Sequence, residues 1–96
     1  PGGSFTLTTG ILAQQPIRTG VNATAVNTAL EGFVFAAANE LSGLRINAVS
    51  PTVLTEALDS YGPFFPGFES APASRVALAY RRSVDGVETG KVYRVW

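Results

Sequence analysis

Strand-like runs recur three times in this chain, and the segments that separate them are too long for hairpins. The first, Ser4-Phe5-Thr6-Leu7-Thr8-Thr9, is rich in β-branched and aromatic residues and stops at Gly10. Leu44-Arg45-Ile46-Asn47-Ala48-Val49-Ser50 is the second, ended by Pro51, whose nitrogen cannot donate to a ladder. Lys91-Val92-Tyr93-Arg94-Val95-Trp96 alternates as the third. Over residues 21–41, Val26, Leu30, Phe33, Ala37 and Leu41 recur at helical spacing, which predicts a helix with those side chains on one face. Asn22 or Thr24 can cap its start, and Ser42-Gly43 stops it. Residues 73–83 predict a second helix with Val76, Ala79 and Tyr80 on one side and Arg75, Arg81 and Arg82 mostly outside, before a turn at Asp85-Gly86. Residues 11–20, with Pro16 and no period, read as a loop, and residues 52–59 as a short helix. Strand, helix, strand, helix, strand with connections of this length implies parallel strands joined by right-handed crossings. The expected fold class is therefore α/β.

Composition narrows the function. Only 15% of the residues are charged and the formal net charge is zero, against about 25% charged in an average globular chain. A large share of the surface is expected to be covered, and a partner chain is one way to cover it. The basic residues are scattered, so no stripe exists to hold nucleic acid or an anionic membrane. The chain contains no cysteine and no histidine, which removes disulfides, thiolate nucleophiles, a Ser-His-Asp triad and the usual zinc ligands; no metal site is expected. The longest apolar run, residues 32–38, falls far short of the roughly 20 residues that span a bilayer. A soluble, cytoplasmic protein is the expectation. Pro1-Gly2-Gly3 opens the sequence without an initiator methionine, as expected of part of a longer product.

Four segments, in order along essentially the whole chain, resemble the second half of a short-chain dehydrogenase/reductase. Leu44-Arg45-Ile46-Asn47-Ala48-Val49-Ser50-Pro51 is similar to that family's strand ending in Asn-x-Val-x-Pro-Gly, and Thr28-Ala29-Leu30-Glu31-Gly32-Phe33 to the helix segment after its catalytic Tyr-x-x-x-Lys. Gly3-Ser4-Phe5-Thr6-Leu7-Thr8-Thr9 is similar to the strand that ends in the catalytic serine, and Thr89-Gly90-Lys91-Val92-Tyr93 to the closing strand. The resemblance implies the C-terminal half of a Rossmann-like, doubly wound parallel sheet, with three parallel strands and two main helices here and a three-layer sandwich when complete. Residues 1–96 would be one unit, a fragment of a longer NAD(P)-binding domain. The glycine-rich turn that binds pyrophosphate in such folds is absent from this chain and would lie upstream.

Carried across position by position, the resemblance puts the family's tyrosine at Ala23 and its lysine at Asn27. A phenol of ordinary pKa near 10 exchanges protons at neutral pH only beside a cation. Alanine has no proton and asparagine no charge, so the active site reads as degenerate. Lys91, the single lysine, has no tyrosine at helical spacing. The serine position falls at Thr9 or Gly10. Thr9 could polarise a carbonyl weakly, or simply be tied to the local backbone. Asn27 is expected to be satisfied by water or a neighbouring helix. Pro51, Thr52, Val53, Leu54 and Thr55 fall where the family's backbone approaches the nicotinamide of NAD or NADP. Glu56, falling near the pyrophosphate, would repel it. Tyr61, Phe64, Phe65 and Phe68 occupy the place of a mobile substrate lid, or else pack on the sheet or a second subunit. Glu31 and Glu40, about 13 Å apart along the helix at 1.5 Å per residue, are expected to be solvated.

Two functions follow. One is an NAD(P)(H)-dependent oxidoreductase with a degenerate site; the other is a non-catalytic protein that keeps the fold for nucleotide sensing or assembly. The implied partners are the missing N-terminal half or a second subunit, with a homo-oligomer formed through the helix at 21–41.

Overall fold

The computed structural model describes residues 2–96; Pro1, the first residue of the opening Pro-Gly-Gly run, lies outside them. Three strands, β1 (Gly3–Thr8), β2 (Leu44–Pro51) and β3 (Val92–Val95), form one parallel sheet in the order β1-β2-β3. The register runs from Gly3 opposite Leu44 to Thr8 opposite Val49, and from Ala48 opposite Val92 to Pro51 opposite Val95. β2, paired on both sides, is buried from Ile46 to Ser50, as a central parallel strand must be.

Successive β2 side chains address opposite layers. Ile46 and Ala48 meet α1 (Val21–Ala37) through Val34, with Leu7, Ala37, Ala38, Leu41 and Val92 packed around them. Val49 faces the other way, into a core with Ala71, Val76, Ala79, Tyr93 and Val95 under α3 (Ala73–Asp85). Asn47, fully buried on the α3 side, donates to the Ser83 hydroxyl at 3.2 Å and the Glu88 carbonyl at 2.9 Å and accepts from the Lys91 amide at 3.0 Å. Its amide joins strand, helix and the following loop.

Helix ends differ from the sequence expectation. α1 starts from Gly20 without a side-chain cap. Asn22 and Thr24 already lie inside the helix, and the Thr24 hydroxyl is buried without a partner. α1 ends at Ala37, before Leu41, because residues 38–41 tighten into a turn in which the Asn39 and Glu40 amides bond carbonyls three residues back. The inward face is also rotated. Glu31 and Val34 are buried, whereas Val26 and Phe33 remain 59% and 58% exposed. A helix apolar on most faces does not choose a face by its spacing. The Arg45 guanidinium binds the Ser83 and Val84 carbonyls at 2.6 and 2.9 Å, placing a cation at the C-terminus of α3, where the helix dipole favours it. In place of a helix over 52–59, residues 52–54 stay extended, a tight turn covers Thr55–Ala57, and α2 is the single turn Leu58–Tyr61.

Candidate active site at the ends of the parallel strands

Parallel strands finish on one side of the sheet, and in open α/β sheets ligands bind beyond those carboxyl ends. Thr9, just past β1, is held there twice. Its amide bonds the Val49 carbonyl at 2.8 Å, and its hydroxyl donates to Glu31 Oε2 at 2.8 Å, with a longer contact of 3.4 Å to the Val49 carbonyl. Both side chains are enclosed, at 7% exposure for Thr9 and 9% for Glu31. Glu31 is thus not the solvated charge expected from sequence; helix rotation turns it under β1. A carboxylate only accepts, so the hydroxyl proton of Thr9 is committed to it and a ligand would meet the hydroxyl's lone pairs.

Ala23 and Asn27 lie on successive turns of α1, both half-buried. The Asn27 amide donates to the Ala23 carbonyl at 2.8 Å, so its own helix satisfies it rather than water or a neighbour. Neither position carries a proton donor of useful pKa or a cation.

Residues 51–55 are laced to the segment before α3. Thr52 donates its amide to the Val95 carbonyl and its hydroxyl to the Glu69 carbonyl, both at 2.9 Å. The Val53 carbonyl accepts from Ala71, the Thr55 amide donates to Ala71, and the Thr55 hydroxyl meets Ser70. The Leu54 amide has no protein acceptor among the described residues. Thr8, Pro51, Leu54, Val76 and Tyr80 line an apolar recess of 320 Å³ at this edge. An unpaired amide beside an apolar recess fits the planar, amide-bearing nicotinamide end of a dinucleotide. The phosphates find less: no residue of 51–56 is cationic, and Glu56 is exposed, its oxygens accepting from the Ala73 amide at the start of α3 at 3.0 and 3.3 Å.

The aromatic segment divides. Phe64 and Phe68 meet residues 16–19 around a pocket of 470 Å³. Phe65 packs edge-on against Phe68 with ring centroids 5.4 Å apart, and Tyr61 stands 57% exposed outside that pocket.

No protein-family model and no curated protein matches the chain. Solved structures do. The protein lin1944 from Listeria innocua superimposes with a TM-score of 0.97 and 49% identity, over 99% of this chain and 48% of that one. A small-chain dehydrogenase in complex with NADPH gives a TM-score of 0.80 and 30% identity over 98% of this chain and 49% of its own. The chain has the fold of half a small-chain dehydrogenase. The 3-hydroxyacyl-CoA dehydrogenase type-2 from Mycobacterium avium shares that fold at a TM-score of 0.73 and 25% identity, over 97% of this chain and 41% of that one. The chain spans about half the length of these proteins.

Within this dehydrogenase half-fold several polar contacts gave no sequence signal. Thr6 meets the fully buried Ser83 hydroxyl at 2.6 Å, and Thr8 meets the Tyr80 hydroxyl, both on the α3 side. The groups with shifted proton affinity lie elsewhere, around the loop that leads into β3. Tyr93 donates to Glu88 Oε1 at 2.8 Å, and the Arg82 guanidinium lies 3.2 Å from the same oxygen and 5.0 Å over the Tyr93 ring. Donation by Tyr93, aided by the Arg82 charge, holds Glu88 below its ordinary 4.5. Burial, then the Glu88 contact, raises Tyr93 above its ordinary 10.0. Among the described residues no acidic, His or Cys cluster could hold a metal ion, and no helix is long and apolar enough to cross a membrane.

Proposed function

We propose that the chain is the C-terminal half of an NAD(P)(H)-dependent oxidoreductase of short-chain dehydrogenase/reductase type whose phenol-lysine relay has been replaced by Ala23 and Asn27. One observation carries the reading: Thr9, seated on Glu31, and the free Leu54 amide border the carboxyl ends of parallel strands in a fold shared with an NADPH-bound dehydrogenase. Pro51, Thr52, Val53, Leu54 and Thr55 form the nicotinamide side of the site, with the Leu54 amide as donor and the apolar recess excluding water. When bound, the dinucleotide supplies or takes the hydride. Thr9 stands at the serine position of this site, its hydroxyl held by Glu31. Phe64 and Phe65 belong to the substrate side, with Tyr61 at its outer rim. The glycine-rich phosphate site belongs to the other half of the fold. The groove between Phe5 on β1 and Phe33 on α1, lined also by Leu7, Ala37, Leu41 and Ile46, is where that half or a second subunit packs, and the exposed face of α1 supports an oligomer.

A second reading, nucleotide sensing or assembly without turnover, is favoured by the commitment of the Thr9 proton to Glu31, which leaves a substrate oxygen without a donor at that position. Titrating the full-length product with NADPH and then adding a panel of ketones separates the two. NADPH oxidation that Thr9→Val abolishes while the variant stays folded by circular dichroism supports the oxidoreductase; NADPH binding without turnover supports sensing. Failure to bind NADPH, and NADH in a parallel titration, removes the oxidoreductase and the sensing reading and leaves assembly.

A further inference from the structure

The 470 Å³ pocket between the loop before α1 and the aromatic segment has a composition that specifies a ligand more narrowly than a lid does. Pro16, Ile17, Pro63, Phe64, Pro66 and Phe68 give it apolar walls, and Arg18 is the single charged residue lining it. Pockets of this size that are mostly apolar with a few placed polar groups are the usual form of a small-molecule site. Among the described residues Arg18 forms no ion pair: the two bridges present are Arg81 with Asp85 and Arg82 with Glu88. No carboxylate shares the pocket. Arg18, itself exposed, lines these apolar walls without a counter-ion, and a guanidinium so placed can receive a planar anion through paired hydrogen bonds.

The backbone that presents Arg18 is fixed. The Gly20 amide closes a turn on the Ile17 carbonyl at 3.2 Å, with Thr19 held at φ 68°, a left-handed conformation unusual for a β-branched residue. A side chain at Gly20 would meet Ile17 Cγ1 at 2.8 Å, so glycine is needed where the turn folds back on itself. On the opposite wall Phe68 is held by the edge contact with Phe65 and by its amide bond to the Phe65 carbonyl at 3.1 Å. Strain of this kind persists where surrounding structure maintains it, and it concentrates at binding sites.

We infer that this pocket binds small apolar carboxylates, with the carboxylate on Arg18 and the hydrocarbon against Phe64 and Phe68. The inference rests on the dehydrogenase reading and adds a substrate class to it: oxo or hydroxy acids with an apolar or aromatic tail. Calorimetric titration of the full-length protein with phenylbutyrate and with its uncharged amide, phenylbutyramide, tests it. The acid is expected to bind about tenfold more tightly than the amide, the difference made by one charge-assisted pair. Arg18→Gln should reduce the acid to the affinity of the amide, and Arg18→Lys, which keeps the charge but not the fork, should fall between. Equal binding of acid and amide, a preference that survives Arg18→Gln, or binding of neither compound overturns the inference. A parallel NADPH titration keeps the two readings apart. Carboxylate preference without NADPH binding removes the oxidoreductase and leaves the anion site, whereas NADPH binding without an Arg18-dependent preference does the reverse.

Discussion

Replacing Thr9 by Val, Glu31 by Leu, and both together measures the bond that joins β1 to α1 at the strand ends. Each partner is over nine-tenths enclosed, and the hydroxyl lies 2.8 Å from the carboxylate oxygen. A hydrogen bond to a charged group contributes about 1.5–3 kcal/mol, and a buried partner left alone costs a further penalty of similar size. Thr9→Val strands the carboxylate, so a loss of about 3 kcal/mol is expected. Glu31→Leu leaves the hydroxyl only the 3.4 Å contact with the Val49 carbonyl and should cost about 2 kcal/mol. The double replacement removes both polar groups and fills the space with hydrocarbon. Its cost should fall below the sum of the singles by about 2 kcal/mol. Urea unfolding at neutral pH, followed by far-ultraviolet circular dichroism, gives all three values if the denaturant slope is unchanged. Costs that add to within about 0.5 kcal/mol would show that the two groups do not interact, and the account of Thr9 as a hydroxyl held by Glu31 would fall.

Asn47→Ala leaves the Lys91 amide without its acceptor and the Glu88 carbonyl with only the 3.3 Å contact from Arg45, and should cost about 2 kcal/mol by the same urea assay. Thr19→Gly relieves a left-handed β-branched residue and should stabilise the protein by about 1 kcal/mol, whereas Thr19→Val should not. Stability should also fall at both ends of the pH scale. Glu88 binds its proton more weakly folded than unfolded, so its contribution is lost as pH falls below 4.5. Tyr93 holds its proton more tightly when folded, so its contribution is lost as pH rises above 10.0. Tyr93→Phe should flatten both limbs of the urea midpoint measured against pH, and persistence of both would refute the assignment.

The sheet was readable because its signals are local. β-branched runs, the proline after Ser50 and the helical spacing of 73–83 each act within a few residues, and long connections leave parallel pairing as the consistent answer. α1 was readable as a helix but not in its rotation, since Val26, Phe33 and Phe35 are as apolar as Leu30 and Val34. That ambiguity hid Glu31, whose partner Thr9 is brought near only by the turn through residues 10–20. The hydroxyl partners Ser83 and Tyr80 were silent for the same reason: a buried serine and an exposed one look alike until the opposite strand is known. Arg18 gave no periodic signal at all, because its placement depends on a turn and on an aromatic segment far along the chain.

An edge strand with a single neighbour has little to stop it sliding, and β1 carries an answer in its hydroxyls. Thr6 and Thr8 reach Ser83 and Tyr80 on one layer while Thr9 reaches Glu31 on the other. A shift of one residue would send each hydroxyl to the wrong layer and set Phe5 and Leu7 against the polar side chains of α3. The threonines thus act as a key cut for one alignment of β1 on β2.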